Sequence, residues 1–142
     1  MTDDRVSVDT SVLVRYFVQD HPVRGPAAQR LLDGQREISL SLVALAETAF
    51  VLSRNYEVPR EEVVDNLVGL LRKRNVQVMG VDKALAAAAL LMCRPSGRVS
   101  FADALINADA RAHDALTMYT FDAQFPEEGL ALREPEAVDP QP

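Results

Sequence analysis

The sequence predicts an α/β fold: three layers, α/β/α, around a central parallel sheet of four to five strands. Two observations point there. Short β-branched runs recur along the chain, and longer segments with helical spacing lie between them. Strands separated by helices pair in parallel, and a parallel sheet is covered on both faces. A third observation sets the scale. The chain has 142 residues, one domain at about 150 residues per domain, and such a domain buries about two-thirds of its unfolded surface without a disulfide or structural metal.

Arg5–Asp9 alternates and is β-branched, so it reads as the first strand. Asp9 and Thr10 are helix-capping types, and Leu13, Tyr16 and Phe17 share a helical face, so Thr10–Phe17 reads as a helix. Pro22 to Pro26 is a break, after which Ala27–Leu32 is helical up to Asp33-Gly34. Glu37–Leu40 is the second strand. Ser41 caps the apolar helix Leu42–Arg54. Pro59 opens the next helix, with Glu61 and Glu62 in its first turn, Arg72, Lys73 and Arg74 in its last, and Val63, Val64, Leu67, Leu70 and Leu71 as its buried stripe. Val76–Val81 is the third strand, and Asp82 caps Lys83–Cys93. Ser100 with Asp103 resembles a capping box for a helix reaching about His113. Leu116–Tyr119 is the fourth strand, and Leu130–Leu132 a candidate fifth. From Arg133 the chain is rich in proline and acid, so residues 134–142 read as a disordered tail.

Composition narrows the function. Fifteen basic against 21 acidic residues give a net charge of −6. That argues against a basic nucleic-acid coat protein or a basic membrane-surface helix. With two histidines and one cysteine, a Cys/His zinc site is excluded. A lone Cys93, no long apolar run and an acidic N-terminus without the features of a signal peptide make the expected location cytoplasmic.

Four acids are out of place. Asp9 ends the first strand, at the sheet edge where ligands bind in such folds, although alone it reads as an N-cap. Glu47 lies in an otherwise apolar helix, Leu42–Leu52, broken only by Thr48. An apolar helix is expected to be buried, and a lone buried carboxylate is costly unless paired or bound to a cation; the alternative is a glutamate on a narrow exposed strip, and the buried, functional reading is preferred. Asp103 sits in a first helical turn, and Asp122 follows the fourth strand. Asn107, four residues after Asp103 on the same helical face, could orient a carboxylate or a metal water, although an exposed asparagine is the commoner reading. Gathered carboxylates repel unless a cation neutralises them, and hard oxygen ligands suit Mg2+ or Mn2+. Such a site serves phosphate-ester chemistry.

Four runs carry a family resemblance: Val8–Phe17, Leu45–Leu52, Phe101–Ile106 and Thr120–Phe125. In order and spacing, across about the first 125 residues, they resemble PIN-domain proteins, especially VapC-like toxin ribonucleases of type II toxin–antitoxin systems. The resemblance implies a PIN domain over residues 1–133 and a Mg2+- or Mn2+-dependent endoribonuclease, with one or two ions. It implies a homodimer and a cognate antitoxin. Carried over residue by residue, Asp9, Glu47, Asp103 and Asp122 are the acidic quartet, with Ser11 and Thr120 as hydroxyls beside it. Three aspartates hold the metal, Glu47 ligates or acts as base, and a metal-activated water cuts RNA. Relatives with this opening often carry Asn where this chain has Ser11, and a hydroxyl can still hold Asp9 or a water.

Arg54, Arg15, Arg98 and Arg111 are candidates for RNA phosphates. Arg54 comes first because it lies seven residues from Glu47 on one helical face. A haloacid-dehalogenase-type phosphatase would need an acid where Ser11 stands, and a receiver domain would need a late lysine, which this chain lacks. The serious alternative is a catalytically silent PIN-like module that acts through protein or RNA partners.

Overall fold

A computed structural model describes residues 5–136. In order they form α1 (Thr10–Phe17), α2 (Arg24–Leu32), β1 (Ile38–Leu40), α3 (Leu42–Arg54), α4 (Arg60–Leu71), β2 (Val76–Val78), α5 (Lys83–Leu91), α6 (Phe101–Ala112), β3 (Thr117–Tyr119) and β4 (Ala131–Arg133). The α/β class follows from this order. The expected disordered tail, 134–142, falls mainly outside the described residues.

The described strands are parallel and fall into two pairs, β1–β2 and β3–β4. The strand expected at Arg5–Asp9 contributes one parallel bridge, Val6 to Ile38. Val6 N donates to Glu37 O (2.9 Å), and Ser39 N donates to Val6 O (2.8 Å). Its shortness has a local cause: Asp9 is already the N-cap of α1, and the helix begins at Thr10. β2 is likewise shorter than expected, because Gly80 turns the chain with φ +74°, a conformation that glycine adopts at no steric cost.

Four of the caps expected from the sequence form. The Asp9, Ser41, Asp82 and Ser100 side chains each accept from a main-chain N–H in the first turn of their helix. α2 starts earlier than expected, at Arg24, so Pro26 lies in its first turn, where its missing N–H costs no helical bond. The core is aliphatic. Leu13, Leu32, Leu45, Leu52, Leu67, Leu70 and Leu71 are almost fully buried, each worth about 1.5–3 kcal/mol of burial. The stripe expected on α4 is the buried one.

α3 differs from expectation. Its buried side is Ala44, Leu45, Thr48, Ala49 and Leu52, but Val43 (76% exposed) and Phe50 (56%) face outward, and Glu47 is exposed with them. The helix is buried on one side only. Its length of apolar residues exceeds what one face can cover, so its acid is not a buried charge.

Candidate active site

The end of the first strand and the start of α1 set the position of Asp9. Three bonds converge on its Oδ1: from Ser11 Oγ (2.6 Å), Ser11 N (3.1 Å) and Val12 N (3.4 Å). The Ser11 hydroxyl is the largest reason that the Asp9 carboxyl titrates below its ordinary value, and the helix-start N–H groups add to it. Oδ2 takes none of these bonds.

Glu47 comes to the same place from α3. Thr10 Oγ1 donates to Glu47 Oε1 (2.5 Å). Asp9, Thr10, Ser11 and Glu47 line a cleft of ≈ 770 Å3 between α1, α2 and α3, together with Arg15 and Arg24, over an apolar wall of Ala27, Ala28, Leu31 and Val51. A second depression, lined by Ser7, Val8, Ser41, Val43 and Ala44, meets the first at Asp9, Thr10 and Glu47. The two carboxylates thus stand where two hollows join. Thr10 and Arg24 are members that sequence reasoning did not assign to the site. Thr10 was visible as a capping type, whereas Arg24 is brought in only by the packing of α2 on α1.

The other two acids are not among the residues that line this cleft. Asp122 lines a separate hollow with Thr120, Phe121 and Arg133. Its carboxylate accepts from Gln124 N (2.8 Å), and Thr120 Oγ1 accepts from Asp122 N (2.9 Å). Asp103 is half-buried in the first turn of α6, and its N–H donates to Ser100 Oγ (3.0 Å). Among the described residues no group of three or more His, Cys, Asp or Glu side chains is placed to hold one metal ion. The donor chemistry of Asp9 and Glu47 suits a hard cation, but two carboxylates fall short of a full set of ligands.

The remaining residues sort by their partners. Arg15 lines the cleft and pairs with Asp20 (2.6 Å). Arg54 lies over the Phe50 ring (5.3 Å), on the exposed strip of α3 that also carries Glu47. Arg98 Nε donates to Gln124 Oε1 (3.1 Å), next to the turn bearing Asp122. Arg111 lies against Gly129, where an added Cβ would collide with its guanidinium. Asn107 is fully buried, and its amide donates to two main-chain carbonyls, Pro126 O (2.9 Å) and Glu128 O (3.1 Å), not to a carboxylate.

The PIN domain family matches residues 6–128, and the chain belongs to it. No curated protein matches. PIN domains are in general a nuclease fold that uses divalent metal ions and acts on RNA, so membership supports a ribonuclease-type function. No helix among the described residues is long and apolar enough to cross a membrane.

Proposed function

We propose that the chain is an endoribonuclease dependent on Mg2+ or Mn2+, and that it is the VapC-like toxin of a toxin–antitoxin pair. The observation that carries the nuclease reading is the pair Asp9 and Glu47, fixed by Ser11 and Thr10 at the mouth of a cleft that also holds two arginines. Arg15 and Arg24 supply planar donors for RNA phosphates, and the apolar wall takes sugar or base. In this reading Asp9 and Glu47 begin the metal site, and it is the resemblance to VapC-like proteins that assigns Asp103 and Asp122 to it as further carboxylates. A bound divalent ion would neutralise charge on the scissile phosphate. The chain's own residues hold the nucleophile's surroundings in place: Ser11 fixes the Asp9 carboxylate, and Thr10 orients Glu47. A homodimer, an antitoxin partner and a cytoplasmic location belong to the same proposal, and they rest on the resemblance to VapC-like proteins.

A specific observation also favours a second reading. Asp9 and Glu47 line one cleft and Asp122 another, and among the described residues no three acids gather on one ion, which is what a silent PIN-like module would tolerate. Calorimetric titration with Mn2+, beside RNA cleavage with and without EDTA, separates the two. Saturable binding with EDTA-sensitive cleavage supports the nuclease. Neither binding nor cleavage at millimolar Mn2+ supports the silent module.

A further inference from the structure

We propose that Asn107 is a positioning residue, which holds Asp122 in register with Asp103 through the main chain of residues 126–128. The proposal rests on the reading of Asp122 as a site residue. Asn107 lies one helical turn after Asp103 on α6 and is fully buried. A buried amide is costly unless its hydrogens are used. Both are used on one loop, on Pro126 O (2.9 Å) and Glu128 O (3.1 Å). The neighbouring Phe125 and Pro126 are themselves buried, so this loop is anchored to α6.

The anchor passes to Asp122 through a closed turn. Phe125 N donates to Asp122 O (3.1 Å), Gln124 N donates to the Asp122 carboxylate (2.8 Å), and Asp122 N donates to Thr120 Oγ1 (2.9 Å). A second tie enters from outside, where Arg98 Nε donates to Gln124 Oε1 (3.1 Å). Thus α6 carries Asp103 directly and Asp122 through the Asn107 clamp. Packing alone does not account for this side chain. Its Oδ1 is buried with no partner among the described residues, a cost that an apolar residue would not incur.

The test is a double-mutant cycle of RNA cleavage under enzyme excess, with Asp9→Asn as the blank and folding checked by thermal unfolding. Asn107→Ala is expected to lower the maximal single-turnover rate constant by about 10- to 100-fold with the half-saturating enzyme concentration unchanged, and to cost nothing further in an Asp122→Asn background. Amide exchange at Gln124 and Phe125 is expected to rise in Asn107→Ala, while exchange at residues 103–106 stays as it was. Equal losses in both backgrounds, or unchanged exchange in the turn, would overturn the proposal. If Asn107→Ala does not fold, Asn107→Leu, which fills the space and removes both donors, decides by the same readout; unchanged exchange at Gln124 and Phe125 there overturns the proposal. Wild-type activity in Asp122→Asn would instead overturn the assignment of Asp122 itself.

Discussion

Thr10 and Glu47 lie 37 residues apart in sequence, yet the Thr10 hydroxyl donates to Glu47 Oε1 at 2.5 Å and joins the start of α1 to the middle of α3. The bond places the glutamate beside Asp9, whose own position is set by capping the same helix. One short segment, Asp9-Thr10-Ser11, therefore carries one carboxylate and orients the other.

Removing that hydroxyl frees the Glu47 side chain without removing its charge. Thr10→Val is expected to lower RNA cleavage by about tenfold or more, the usual cost of losing a group that orients a site carboxylate. Thr10→Ser, which keeps the donor, is expected to retain most of the activity. Initial rates of the two variants at saturating Mn2+ check this.

The one-sided burial of α3 makes a stability prediction. Leu45→Ala, in the core, is expected to cost about 2–5 kcal/mol, and Val43→Ser, on the exposed strip, less than about 0.5 kcal/mol. Urea unfolding of both variants measures the difference. Equal costs would mean that α3 is buried all round.

Asp33 closes α2, accepts from Tyr16 Oη (2.6 Å) and pairs with Lys73 Nζ (2.8 Å). Lys73 first, then Tyr16, holds its carboxyl below the ordinary value. A carboxyl lowered in the folded state adds stability that is complete above its unfolded value and is lost as pH falls through the folded one. Asp33→Asn is therefore expected to melt below the wild type at neutral pH and to converge with it in acid. Thermal midpoints across an acid series test the sign.

Cys93 is fully buried, and burial raises its thiol to a pKa of about 11. The thiolate is the reactive form. The native protein is expected to resist alkylation at about pH 8 and to react fully once denaturant opens the core. Mass spectrometry before and after unfolding reads this directly.

Local chemistry made much of the fold legible. Asp9, Ser41, Asp82 and Ser100 could be read as caps because a cap depends on the few residues after it. The α4 stripe could be read because its spacing reports one buried face. What depends on distant partners was not legible. The exposure of Glu47 is decided by which side of α3 the other helices leave open. Asn107 could be flagged by its position after Asp103, but its partners are carbonyls 19 and 21 residues away. The bond from Arg98 to Gln124, 26 residues on, was hidden in the same way. The pairing of strands in twos was hidden for the same reason, since pattern marks a strand and not its neighbour.

The central claim is that the Asp9 carboxylate serves RNA cleavage at the cleft mouth. Asp9→Asn tests it most directly, because asparagine caps a helix about as well as aspartate and removes only the charge. Cleavage of a defined RNA with Mn2+ should be rapid with the wild type, lost in EDTA and lost in Asp9→Asn, with the thermal midpoint of the variant nearly unchanged. Equal cleavage by the wild type and a folded Asp9→Asn would contradict the account.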